Sequence, residues 1–582
     1  MSPNVELNVA GEIGIPHGRL LLPQRLVVND DLEVPVEWET WDGTSAAGKA
    51  GQILLNATVD SDAGLHLGLE ILNDGEAPTE LREAAWQLLI DQPDRIAVHP
   101  DCGIETVRPW DFNLTHDTLT NRGREERCLA LTFGNDTWYV GSEDPMRFAD
   151  GHLRAEPDAP GEAVLRISWH RVEPAWQYNG MVATRPLNGL WIHEGQTRFA
   201  SINMADNPAK LARSVDPAPK TPGNLPLCVL PKKRTYDRGP IMDAIKRLRM
   251  ERGEYADLFA GGYDHRNQRI VEPHVSRAEY GEFLLHEYMR TGEPQLWDWV
   301  TRFAERFVQV SVNRSSHPER GGAVRGRYGD NNIAHPIRSM RGAVFFWEMA
   351  ELTGRESYRR ISLGIADFLT RSFPWTNARQ AAAARDLVYM HKVSGDARYL
   401  ATARSIIDVL REVEQPGGGW FEYWNEKGEA YAYDPPTHHG GEWTPISTIK
   451  PEMLTYNVNG LLDAVQLDPD ALPGALDMIR HAAEWLVETQ DASGAWPFPR
   501  KESPTRFGYA LMLDAAAMLK AGKTFGEERF VDAGRRAIDY GLAQIEERGY
   551  VPAISGLPDA DQVESSLTCF YALEAFATAE SL

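Results

Sequence analysis

No apolar run in the 582-residue sequence is long enough to cross a membrane as a helix, so a membrane partner is not expected. The opening residues, Met1-Ser-Pro-Asn-Val-Glu6, have neither a basic cluster nor an apolar core. No secretory leader is therefore expected, and a cytoplasmic location follows unless a leader has been removed. Cysteine is scarce: the four residues Cys102, Cys128, Cys228 and Cys569 are too scattered for a disulfide framework or a metal site. Neither cofactor nor metal is expected. Positive charge is in deficit, with 60 Lys and Arg against 84 Asp and Glu and a net charge of −24. Nucleic acid is thereby excluded as a partner, because phosphate binding requires a basic surface.

One stretch reverses the deficit. Arg314, Arg320, Arg325, Arg327, Arg338 and Arg341 face only Glu319 and Asp330, a local balance of +4. A basic island in an acidic protein is a candidate anion site.

At this length two domains are expected, one of them large. Residues 1–207 read as short strands with period-two alternation, among them Gln52–Val59, Leu65–Leu72, Cys128–Phe133, Ala163–Trp169 and Thr197–Asn203. Gly, Asn and Asp turns between them suggest an antiparallel β-sandwich. Residues 208–239 are rich in proline and lysine and read as an extended linker.

Residues 240–582 carry a diverged repeat of helix, tight turn, helix. The turns are Arg290-Thr-Gly-Glu293, Leu352-Thr-Gly-Arg355, Val393-Ser-Gly-Asp396, Gln466-Leu-Asp-Pro469 and Ala521-Gly-Lys-Thr524. They define hairpins at 277–311, 336–373, 377–414, 452–490 and 505–545. A last helix from Gln562 and a first one around Ile241–Arg249 each lack a hairpin partner. Pairing the two makes six hairpins and closes the array into an (α/α)6 toroid, whereas an open array would need polar capping repeats. The fold expected is thus multidomain β + α, a sandwich followed by a toroid.

Each hairpin is joined to the next by a longer connection, and long loops on a helical scaffold are where function concentrates. The first carries Asp264, His265 and His274; the second carries Arg327, Tyr328, Asp330, Asn331, Asn332, His335 and Arg338. The longest, reaching Tyr456-Asn457, carries Trp420, Glu422, His438, His439, Glu442 and Trp443. Trp and Tyr beside Asn, His, Glu and Arg suit a sugar, whose ring faces stack on aromatics while its hydroxyls take directional hydrogen bonds. The adjacent His438-His439 pair lacks further spaced ligands and is a weak metal signal, so it is assigned to substrate binding. His286 and His391, near the short turns, read as structural, and Trp297, Trp299 and Trp347 as core.

Two resemblances follow. Trp485-Leu-Val-Glu-Thr-Gln-Asp-Ala-Ser-Gly-Ala-Trp496, with a shorter echo in Glu414-Gln-Pro-Gly-Gly-Gly-Trp420, resembles the QW repeat of triterpene cyclases. It implies a staple between a helix end and the next loop; the Asp-rich acid of those enzymes has no counterpart. The overall layout is similar to polysaccharide lyases and toroidal glycosidases. Arg327-Tyr-Gly-Asp-Asn-Asn-Ile-Ala-His335, leading into a helix that ends Leu352-Thr-Gly354, resembles exo-rhamnogalacturonan-lyase-like (YetA-like) proteins.

Two chemistries are compatible with these loops. A lyase acting on a uronic-acid-containing oligosaccharide needs donors on the carboxylate, a base and an acid. Arg338 or Arg327 with Asn331 and Asn332 would hold the carboxylate, and His335 or Tyr328 would transfer a proton. His274 or His265 would be the second proton-transfer group, with Trp420, Trp443 and Tyr456 as sugar platforms. A toroidal glycoside hydrolase needs a carboxyl pair instead, and Asp264, Asp330, Glu422 and Glu442 are available for it. A sugar epimerase, an isomerase or a non-catalytic glycan-binding protein is the remaining alternative.

Overall fold

In this computed structural model the chain divides into two compact units. The first comprises residues 1–215 with 253–256 and 313–317; the second comprises 216–252, 257–312 and 318–582. Up to residue 205 the structure describes residues 7–8, 12–15, 18–28, 32–41, 45–60, 65–75, 79–91, 95–99, 113–114, 128–141, 152–159, 162–169, 177–178, 181–182, 190–192 and 197–205. Beyond that it describes 225–246, 263–264, 269–270, 277–315, 317–318, 321–324, 339–376, 380–430, 449, 451–497, 506–507, 511–552, 554–555 and 562–582.

Among the described residues, the first unit is antiparallel β-structure. Its eight-stranded sheet runs, in spatial order, Arg95–His99, Cys128–Phe133, Asp136–Gly141, Thr197–Ala205, Leu65–Asn73, Ile53–Asp60, Ser45–Ala50 and Glu37–Trp41. A second sheet of ten strands is built around Thr79–Asp91, which pairs with Glu162–Trp169 on one side and with Gly18–Leu21 and Arg25–Val28 on the other. Period-two alternation appears as burial: Leu55, Ala57, Leu67, Leu69 and Ile71 are all buried.

The second unit is helical. Its helices are α1 (Gly239–Ile245), α2 (Glu279–Thr291), α3 (Pro294–Val310), α4 (Gly342–Thr353), α5 (Glu356–Ser372) and α6 (Gln380–Ser394). They continue as α7 (Ala397–Glu412), α8 (Pro451–Leu467), α9 (Ala475–Thr489), α10 (Leu511–Phe525), α11 (Glu528–Arg548) and α12 (Gln562–Ser581). The even-numbered helices form the inner wall. Contacts run from α2 to α4, α6, α8, α10 and α12, and α12 returns to α2 while also packing on α1. The ring is closed.

Burial explains the division of labour. Every residue from Glu279 to Met289 in α2 is buried, as is every residue from Gln380 to Met390 in α6. The outer helices bury one stripe: in α5 it is Tyr358, Ser362, Ile365, Ala366, Phe368 and Leu369. Three of the expected turns end their helices on a left-handed glycine: Gly292 (φ 69°), Gly354 (φ 72°) and Gly395 (φ 75°). The turn expected at Ala521-Gly-Lys-Thr524 is instead inside α10, and Gly526 (φ 68°) is the left-handed residue. Gly522 serves packing: a Cβ there would lie 2.5 Å from Val531 Cγ2. Gly281 does the same for α2, where a Cβ would meet the Phe303 and Phe345 rings at 2.5 Å.

The tryptophan staples are plain in the structure. Trp420 donates its indole N–H to Leu410 O, and Trp496 donates to Leu486 O, each at 2.8 Å. Both indoles are fully buried.

Candidate functional site

Apart from α6, which follows α5 closely, each inner helix is preceded by a long connection, and each is followed, where a hairpin continues, by a shorter turn. The N-terminal ends of the inner helices therefore gather on the long-loop side. Several charged residues there turn into the ring rather than out to solvent.

Arg277, just ahead of α2, donates from Nη1 to Tyr456 Oη at 2.8 Å. Tyr456 and Tyr571 share a hydrogen bond of 2.8 Å, and Tyr571 donates to Glu279 Oε1 at 3.2 Å. Since Tyr571 spends its proton on Glu279, Tyr456 is the donor between the two hydroxyls. Glu279 Oε2 lies 3.7 Å from Arg277 Nη1, which closes the circuit. Four buried side chains from the loop end, α2, α8 and α12 are thus locked together.

One turn further in, Glu282 accepts from Arg341 Nη1 at 3.1 Å and from Arg385, whose Nη2 makes a close ion pair. Arg385 also donates to Asp386 Oδ1 at 2.9 Å and, through Nε, to Asp463 Oδ2 at 3.0 Å. Lys520 joins Asp463 (2.9 Å) to Glu574 (3.1 Å), and Arg290 reaches Glu574 at 2.7 Å. Cations and carboxyls thus alternate from helix to helix around the interior.

These groups differ in how well pairing offsets burial. Burial opposes ionisation of Glu282, but Arg385 and Arg341 outweigh it and hold its carboxyl below the usual range. Glu574 is likewise driven well below that range by Lys520 and Arg290 against burial. Asp386 goes the other way: burial prevails over Arg385 and pushes its carboxyl up to about 7. Burial also raises Glu348, whose Oε2 lies 3.4 Å from His286 Nε2.

Arg341 is the non-glycine residue with a positive φ (63°) among the described residues. A left-handed arginine is uncommon and costs roughly 1–3 kcal/mol. Its guanidinium sits 4.9 Å over the Phe283 ring, so a cation–π contact joins the Glu282 pair in fixing it.

Of the expected site residues, Trp420, Glu422 and Tyr456 have described side chains. Trp420 is fully buried, with its indole N–H donated to Leu410 O. Tyr456, 2% exposed, belongs to the Arg277 circuit, with its ring enclosed rather than offered for stacking. Glu422 is half-buried. His265, His274, Arg327, Tyr328, Asp330, Asn331, Asn332, His335, Arg338, His438, His439, Glu442 and Trp443 lie outside the described residues. Among the described residues, no group of three His, Cys, Asp or Glu is arranged to hold a metal ion, and no helix is long and apolar enough to cross a membrane.

The interior network escaped the sequence reading. Its signal was Arg385-Asp386, a charge pair inside the otherwise apolar run from Ala381 to Met390. An inner helix has no polar face, so isolated charges on it must meet one another.

No protein-family model and no curated protein matches the chain. Solved structures with similarity include a polysaccharide lyase, at 11% identity and a TM-score of 0.44, covering 59% of this chain and 97% of the other. A glycosyl hydrolase family 88 protein from Bacteroides vulgatus has 12% identity and a TM-score of 0.44, covering 59% of this chain and 99% of the other. An unsaturated glucuronyl hydrolase from Streptococcus agalactiae, in complex with a disaccharide, has 12% identity and a TM-score of 0.44, covering 63% and 96%.

Proposed function

We propose that this chain is a carbohydrate-active enzyme that cleaves uronic-acid-containing oligosaccharides by β-elimination at the long-loop side of the helical ring. The two antiparallel sheets of the first unit are read as the layers of a β-sandwich. One observation carries the proposed site. Arg277 and Arg341, where the connections bearing His274 and His335 rejoin the ring, are both drawn onto the first turn of α2, at Glu279 (3.7 Å) and Glu282 (3.1 Å). Two loops rich in proton-transfer residues thus start from anchor points one helical turn apart.

Elimination needs the uronate carboxylate neutralised, the α-proton removed and the leaving oxygen protonated. Arg327, Arg338, Asn331 and Asn332 are assigned to the carboxylate, with His335 or Tyr328 for proton transfer. His274 or His265 serves as the second proton-transfer group. Arg277 and Arg341 fix the points at which the two connections rejoin the ring, and bringing acid and base to one bond is the role proposed for the residues those connections carry.

The test is incubation with a panel of uronic-acid oligosaccharides. Appearance of the ultraviolet absorbance of an unsaturated uronate establishes elimination. Reducing sugar without that absorbance, or loss of the absorbance from a pre-formed unsaturated substrate, overturns the lyase reading and establishes hydrolysis. Binding without turnover establishes a glycan-binding protein.

A further inference from the structure

Matching the buried carboxyls of the ring interior to their cations leaves one over. Glu282 receives Arg341 and Arg385, Asp463 receives Arg385 and Lys520, and Glu574 receives Arg290 and Lys520. Asp386 receives Arg385 at 2.9 Å, and Glu287 receives Arg290 and Arg238. Asp514 on α10 is buried too and has an interaction of its own. Glu348 on α4 pairs with no Arg or Lys among the described residues; its neighbour is the imidazole of His286 on α2, with Oε2 and Nε2 3.4 Å apart.

That contact does not make good the deficit. Both residues are buried, Glu348 at 0% and His286 at 2% exposure. Both oxygens of Glu348 and both ring nitrogens of His286 lack a hydrogen-bond partner in the protein, so the 3.4 Å approach is not aligned as a hydrogen bond. Three proton arrangements are open to the pair. A carboxylate beside an uncharged imidazole is a buried charge with no counterion. A carboxylate beside an imidazolium desolvates two charges, which is offset only by close geometry and further hydrogen bonds, and these atoms have neither. A carboxyl that keeps its proton beside an uncharged imidazole buries no charge at all. The surroundings do not reverse that order. Glu282 on α2 opposes a second negative charge, and Arg385 on α6, which favours one, is already shared by Glu282, Asp386 and Asp463. Tyr389 on α6 and Cys228 ahead of α1 are uncharged neighbours, Arg341 is held by Glu282, and Glu574 on α12 acts from beyond His286. On the outer side, Arg359 of α5 lies over the Trp347 ring, and Arg355 pairs with Glu305 of α3.

We propose that Glu348 and His286 form an uncharged latch between α2 and α4, in which the Glu348 carboxyl keeps its proton, and that loss of this proton weakens the seam between the two helices. The upward push of burial on this carboxyl agrees with the pairing count. The sign follows from proton counting. Above the ordinary glutamate range the unfolded chain has released the proton that the native state still holds, so the latch's contribution is full below that range and is lost as pH rises through the native carboxyl's own ionisation. No covalent step is involved; the proton passes between the carboxyl and solvent. This inference does not depend on which sugar reaction the loops perform.

Glu348→Gln keeps the shape of the protonated acid and cannot ionise. In the full-length protein, the stability gap between E348Q and the parent should widen in favour of the variant as pH rises above the ordinary glutamate range. The widening should approach on the order of tenfold in the unfolding constant per pH unit for as long as the native carboxyl holds its proton. Infrared difference spectra at pH 6 should show a protonated-carboxyl stretch in the parent that is missing from E348Q and kept in Asp386→Asn. A constant gap between E348Q and the parent from pH 5 to pH 8 overturns the proposal. So does a band unchanged in E348Q, which places the proton elsewhere. If E348Q fails to fold, D386N decides: its spectrum at pH 6 should still contain a protonated-carboxyl stretch, and a spectrum without one refutes the latch.

Discussion

The hydroxyls of Tyr456 and Tyr571 meet at 2.8 Å, although the residues are 115 positions apart in the chain. This contact ties α8 to α12 and links the Arg277 cation to the Glu279 carboxylate. Tyr571→Phe removes the donor to Glu279 and an acceptor for Tyr456 while keeping the ring. It should lower stability by roughly 1–3 kcal/mol in urea unfolding, the cost of leaving buried polar groups unmet. Tyr456→Phe should cost a similar amount, and the double variant less than the sum of the two. Additive losses would show that the hydroxyls do not act together.

Trp420 separates packing from recognition. Trp420→Phe retains an aromatic ring but loses the N–H to Leu410 O. A drop in stability of about 1 kcal/mol with KM unchanged is expected on turnover of any accepted oligosaccharide. A raised KM at unchanged thermal stability would restore the residue as a sugar platform.

Acid should weaken the ring through Glu574. Its carboxyl ionises well below the usual range because, against burial, Lys520 and Arg290 favour the charged form. The unfolded chain takes up the proton first, so the stability this group contributes is present above the ordinary glutamate range and is lost as pH falls below it. Thermal unfolding followed from pH 6 to pH 3 should show a steep fall in the parent and a shallower one in Glu574→Gln. That variant should also be less stable than the parent at pH 7, by roughly 3–5 kcal/mol, because Lys520 and Arg290 lose a buried partner.

His335→Ala tests the proposed chemistry directly. Turnover should fall by at least about 100-fold, the scale of a general acid or base, with unfolding unchanged. An unaffected rate removes His335 from the mechanism.

Much of the fold was legible because helical hairpins leave local marks. Gly292, Gly354 and Gly395 sit at left-handed helix ends, a conformation that side chains disfavour, so the residue type reveals the turn. Gly522 misled for the same reason: glycine also serves where two helices approach closely, and only the neighbour, Val531, distinguishes the uses. The tryptophan staples were legible through the resemblance of Trp485–Trp496 and Glu414–Trp420 to the QW repeat. The site was less so. Trp420 and Trp496 have the residue type of a sugar platform, yet each indole is buried, and burial depends on which helix lies across from it. Arg385 lies 103 positions from Glu282 and 78 from Asp463. No local pattern encodes such pairings; they follow from the order of helices around the ring.

Closure of the ring has a consequence for synthesis. Arg238 and Glu580, joined at 2.6 Å, are 342 positions apart, and Tyr236 stacks on Phe576 at 4.7 Å. Each hairpin can form soon after it emerges from the ribosome, since its two helices are neighbours in sequence. The surface of α2 that α12 covers must wait for nearly the whole helical unit to be made. During that interval an apolar inner wall, including Phe283 and Tyr280, lacks its final cover, and exposed apolar surface of this kind favours aggregation.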